Sequence, residues 1–84
     1  MEDYVAVSKH EDGSNAIELP TEKDGTLSLS EMQIYFPKAV SLKYKSPSGN
    51  WRVVKSSHGM FFPPREGWGA NVYIVTTSGE NGKF

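Results

Sequence analysis

The chain has 84 residues, 37% hydrophobic, 12% aromatic and 23% charged, with no cysteine. That length fits one small domain, the aromatic content argues against a disordered tail, and the missing cysteine excludes disulfides, thiol chemistry and cysteine-held metals. The net charge of −1 conceals a division: residues 1–31 hold eight acids against two lysines (net −6), residues 32–84 seven cations against two acids (net +5).

The first strand is read at Tyr4-Val5-Ala6-Val7-Ser8, a short apolar stretch with two β-branched residues. The opening Met-Glu-Asp-Tyr has neither the cationic nor the apolar region of a secretory signal. A polar connection from Lys9 to Asn15, centred on Asp12-Gly13, leads into Ala16-Ile17-Glu18-Leu19, which alternates and stops at Pro20. These two strands make a hairpin with Glu18 opposite in sense to Ile17 and Leu19. A turn follows at Lys23-Asp24-Gly25. Next, Ser28 with Glu31, or Ser30 with Gln33, has capping-box spacing, and Leu29, Met32 and Phe36 share one helical face. Pro37 stops this helix after about two turns, too short to stand without a sheet to pack on.

Beyond the helix, Ser41-Leu42-Lys43-Tyr44-Lys45 alternates as a half-exposed strand, Leu42 and Tyr44 inward and the lysines outward. The Ser46–Asn50 stretch is a turn by composition. Trp51 to Lys55 reads as the next strand, with Arg52 and Val54 on one face and Trp51, Val53 and Lys55 on the other. Met60-Phe61-Phe62 is a short strand ended by Pro63-Pro64, Gly67-Trp68-Gly69 a tight turn that tucks the indole against the core, and Val72–Thr76 a central β-branched strand. No run of about 18 apolar residues interrupts this pattern, so no bilayer-spanning helix is expected. The order β-β-α-β-β-β-β is that of an α+β, ubiquitin-like β-grasp: a mixed sheet curled around one short helix. One domain is expected over residues 1–77, with a frayed polar tail over 78–84.

Catalytic chemistry finds little support. His10 and His58 stand in separate polar turns without metal-ligand spacing. No serine lies in a nucleophile elbow, no glycine-rich stretch opens a helix toward phosphate, and Glu18 and Glu22 read as solvent-facing. Neither an enzyme nor a cofactor or metal is expected. Lys43, Lys45, Arg52 and Lys55, with Tyr44 and Trp51 interleaved, suit either a single-strand nucleic-acid surface or a plain soluble sheet face. The acidic and basic halves likewise either face apart as two poles or neutralise each other across the fold.

Taken in order, Tyr4-Val5, Ile17-Glu18-Leu19-Pro20, Asp24-Gly25-Thr26-Leu27-Ser28-Leu29-Ser30, Phe36-Pro37, Leu42-Lys43-Tyr44-Lys45 with Pro47, Arg52 with Val54, Gly59, and Gly67-Trp68-Gly69 before Val72-Tyr73 resemble one known domain. It is the N-terminal domain of the TAR DNA-binding protein family, nuclear RNA-binding regulators of splicing, and the resemblance covers residues 1 to about 77. It implies a ubiquitin-like, DIX-like domain that self-associates head to tail, an acidic face of one copy meeting a basic face of the next. It also implies a parent protein whose RNA recognition lies in two RRM domains absent from this chain, no membrane partner, and a nuclear location with traffic to the cytoplasm. Carried over, the acidic face is Tyr4, Glu18 and Glu22. The basic face is Arg52 and Lys55, with Ser48 nearest to the family's interface serine, a phosphorylation switch. A further family acid falls near Asn15 and is missing; Lys55 stands where arginine is common, which removes bidentate carboxylate recognition. Leu27, Leu29 or Val72 is expected to add apolar contact. Two rival functions are direct single-stranded nucleic-acid binding through Lys43, Lys45, Arg52 and Lys55, and ubiquitin-like docking onto another protein.

Overall fold

A computed structural model describes residues 4–78. The elements run β1 (Tyr4–Ser8), β2 (Ile17–Pro20), β3 (Leu27–Ser28), α1 (Leu29–Tyr35), β4 (Ala39–Lys45), β5 (Trp51–Val53), β6 (Ser56–Ser57), β7 (Met60–Phe61) and β8 (Val72–Thr77). Five strands form one sheet in the order β2-β1-β8-β4-β5, and β3-β7-β6 form a second, three-stranded sheet. β1 pairs antiparallel with β2 but parallel with β8, so the first and last strands meet at the centre of a mixed sheet. β8 in turn pairs antiparallel with β4, and β4 with β5. This is an α+β ubiquitin-like fold.

Strand alternation sends Val5, Val7, Leu19, Leu42, Tyr44, Tyr73 and Val75 to one face of the large sheet, and all are buried. Met32 and Phe36 of α1 close over that face, with Leu29 packed beside them, as the helical spacing predicts. Of the two possible capping pairs the fold uses Ser28, whose Oγ accepts a hydrogen bond from the Glu31 N–H at 3.3 Å. The Gln33 side chain is taken instead by the Ala39 carbonyl, to which its Nε2 donates at 2.9 Å. The helix ends before Pro37, with the Phe36 N–H still bonded to the Met32 carbonyl.

Trp68 and Tyr73 lock the 62–71 connection onto this core. Trp68 Nε1 donates to the Gly25 carbonyl at 2.7 Å, and Tyr73 Oη donates to the Trp68 carbonyl at 2.6 Å. Their rings meet edge to face with centroids 5.2 Å apart. Gly25, at φ +88°, takes the left-handed turn that presents its carbonyl to the indole.

The structure departs from the sequence reading at several places: β2 shifts by one residue, β7 and β8 each differ by one residue at their ends, and larger differences follow. β4 starts at Ala39 rather than Ser41, through a register shift between Ala39 and Ser41 opposite β8. β5 ends at Val53, not Lys55, because the chain leaves the large sheet there to supply β6 to the small one. β3 and β6, two residues each, carry no alternation long enough to be read as strands. The tail reading falls almost entirely on residues 79–84, outside the described residues.

Candidate functional site

The sheet order sets the geometry of the charged groups. β2 and β5 are its two edges, four strand spacings or about 19 Å apart at roughly 4.8 Å each. Glu18 lies on β2, opposite Ala6, and points away from the core because its neighbour Leu19 points in. Tyr4, 53% exposed, pairs with Pro20 and shares this outer face. Glu22 follows in a turn fixed by two backbone bonds, from its own N–H to the Thr26 carbonyl and from the Gly25 N–H to its carbonyl. The same turn adds Asp24, an acid the sequence reading had not placed in the site. Its Oδ1 accepts from Thr26 Oγ1 at 2.6 Å and from the Thr26 N–H at 3.1 Å. Those bonds from the Thr26 hydroxyl and amide hold the Asp24 carboxyl below its ordinary range. The β2 edge thus carries three exposed carboxylates.

The opposite edge is cationic. Arg52 sits on β5 opposite Tyr44 and therefore on the helix side of the sheet. Lys55 follows the strand, its carbonyl accepting from the Phe62 N–H at 2.9 Å. Ser48 tops the β4–β5 turn, where its Oγ lies 2.8 Å from Ser46 Oγ. Ser46 is buried, and its Oγ accepts from the Asn50 N–H at 3.3 Å. Ser48 itself is exposed.

Lys43 and Lys45 do not join this group. They pair with Val53 and Trp51 on the outer face, opposite in sense to Arg52. Their ammonium groups lie 4.3 and 4.6 Å from the centroid of the Trp51 ring. Lys43 Nζ also meets Glu11 Oε2 at 2.7 Å, and that bond, then the lysine's charge, holds the Glu11 carboxyl below its usual range. Glu11 reaches the sheet because the β1–β2 connection folds back on it. Buried Ser8 holds that loop, its Oγ donating to the Ser14 carbonyl at 2.7 Å and accepting from the His10 N–H at 3.0 Å. Of the four cations considered for nucleic acid, Lys43 and Lys45 therefore face away from Arg52, and Lys43 is already paired with an acid.

Among the described residues no three acids or histidines gather as a metal site. His58 Nδ1 lies 2.9 Å from Ser57 Oγ in an exposed turn, and His10 belongs to the β1–β2 loop. Of the apolar contacts expected, Leu27 is wholly buried and cannot touch a neighbour, while Leu29 and Val72 are half-buried. The exposed apolar groups at the edges are others: Ile17 at 39% on β2, and Trp51 at 38% and Val53 at 74% on β5. Edge position, invisible before the strand order is known, is what exposes them. A comparison with known protein families finds that the model described as TAR DNA-binding protein 43, N-terminal domain, matches residues 4–77.

Proposed function

The chain belongs to the family of the TAR DNA-binding protein 43 N-terminal domain, and from that premise we propose that it is a homotypic head-to-tail assembly module. The observation that carries the proposal is the placement of Glu18 on one edge strand, with Glu22 and Asp24 in the turn after it, and of Arg52 on the other edge strand, with Lys55 just beyond it. Two unlike patches on one molecule make a heterologous contact, which repeats into an open filament unless the rotation closes it. Exposed ion pairs contribute only about 0–1 kcal/mol each, so the contact also needs apolar area; Tyr4 and Ile17 on one edge and Val53 on the other supply it. Within a longer parent protein that holds RNA through other domains, weak contacts of this kind gain from linkage and make the assembly multivalent. A role in nuclear RNA processing follows from the same family reading.

Sedimentation velocity of the 84-residue chain across a wide concentration range tests this. Species larger than a dimer that grow with concentration and dissolve in high salt are the expected result. A monomer at every concentration and salt would overturn it and move the function to a foreign partner.

A second reading, single-stranded nucleic acid on the outer face, is favoured by Lys43 and Lys45 flanking the Trp51 ring. The Glu11 carboxylate on Lys43 works against it, since a phosphate must displace that acid. Quenching of Trp51 by an oligothymidine, steeply dependent on salt, is the result that would favour this second reading.

A further inference from the structure

At the end of the sheet where β4 begins and β8 ends, the C-terminal turn of α1 leaves an open cleft of about 420 Å³. Its floor is Phe36 and Val75, both nearly buried core residues, and its rim includes Tyr35, Pro37, Lys9 and Lys38. The walls are built, not loose. The Phe36 N–H bonds the Met32 carbonyl, the Ala39 N–H the Phe36 carbonyl, and the Ser78 N–H the Lys38 carbonyl, all within 2.9 Å. A preformed cleft with an apolar floor and a few charged groups is the ordinary shape of a binding site. Tyr35, 49% exposed, presents an aromatic face at the rim.

Charge decides the occupant. In a chain of net charge −1, no carboxylate among the described residues lines this cleft while two ammonium groups do. Among the described residues neither Lys9 nor Lys38 is paired with an acid, unlike Lys43. Two cations set around an apolar floor fit an apolar side chain with carboxylates on its flanks. A nucleic-acid backbone asks instead for a continuous cationic track. We propose that this cleft docks a short acidic peptide segment of another protein, seating one aromatic or aliphatic side chain on Phe36 and Val75 and its flanking carboxylates on Lys9 and Lys38. The site shares no residue with either sheet edge.

The test is an amide-shift titration of the ¹⁵N-labelled 84-residue chain carrying Glu18→Arg, which weakens self-association, at a fixed low protein concentration. The probe is a blocked five-residue peptide of four glutamates around a central phenylalanine. The expected result is saturable shifts centred on Tyr35, Phe36, Lys38 and Val75. Binding should weaken at least tenfold in a chain also carrying Lys9→Glu and Lys38→Glu, both exposed positions, and in a peptide with glycine at the centre. Three outcomes would overturn the proposal: no shifts at the cleft, equal shifts around Arg52 and Lys55, or equal binding of the glycine peptide. Cleft resonances that move with protein concentration alone would assign the cleft to a second copy and overturn it too.

Discussion

Lys43 Nζ meets Glu11 Oε2 at 2.7 Å across 32 positions of sequence, and the same ammonium lies 4.3 Å from the Trp51 ring. This contact pins the β1–β2 loop to the outer face of the sheet. Because the Glu11 carboxyl is held below its ordinary range by Lys43, the stability it adds is present above the unfolded carboxylate pKa and lost as pH falls through the folded value. Urea midpoints followed from neutral pH down through the carboxylate range should fall more steeply for the native chain than for Glu11→Gln. Asp12 and Asp24 also titrate low and steepen both curves, so the difference between the curves is the measurement. Parallel curves would show that the bridge contributes nothing.

Tyr73→Phe removes the hydroxyl that donates to the Trp68 carbonyl and leaves that acceptor without its donor. The expected loss is about 1–3 kcal/mol in chemical denaturation. Burial raises the Tyr73 pKa above its ordinary value of about 10. Its contribution is therefore fully present below that value and disappears as pH rises through the raised folded pKa. Alkaline unfolding should be steeper in the native chain than in Tyr73→Phe.

Glu18→Arg should shift the assembly midpoint to higher concentration, by up to roughly fivefold for each ion pair lost and more from the new repulsion. Adding Arg52→Glu to the same chain should recover part of the loss, since each interface again joins opposite charges. Sedimentation velocity reads both. An unchanged profile in the single variant would remove Glu18 from the interface.

Ser48→Glu places a carboxylate on the β4–β5 turn that leads to Arg52, and breaks the contact between Ser48 Oγ and Ser46 Oγ. An incoming acidic edge then meets like charge. Weaker assembly, with a small loss of thermal stability from the lost Ser46 and Asn50 contacts, is the expected pair of results. Assembly equal to that of the native chain would take Ser48 out of the contact.

Much of the fold was legible before any coordinates. The β-branched runs in Tyr4–Ser8 and Val72–Thr76, the Leu29, Met32, Phe36 stripe, the Ser28 cap and the Pro37 stop each obey a local rule, and the chain obeys them. What was hidden depends on neighbours distant in sequence. Leu27-Ser28 and Ser56-Ser57 become strands only because Met60-Phe61 lies between them. The acidic and basic residues were nameable, yet their separation to opposite edges exists only through the strand order. Arg52 and Lys43 look like members of one basic run, and period two puts them on opposite faces. Leu27 looked available for contact and is wholly buried under the small sheet.

The parallel pairing of β1 with β8 also fixes the timetable of folding. Without Val72–Thr77, the β1–β2 hairpin and the β4–β5 pair have no strand to join them, so the large sheet closes only when the last described strand arrives. Loop closure across nearly the whole chain is a slow, late event. During synthesis both charged edges emerge before either is braced, and the sheet that braces them cannot close until Thr77 has cleared the ribosome. Translation itself thereby delays completion of the large sheet until its last described strand has been made.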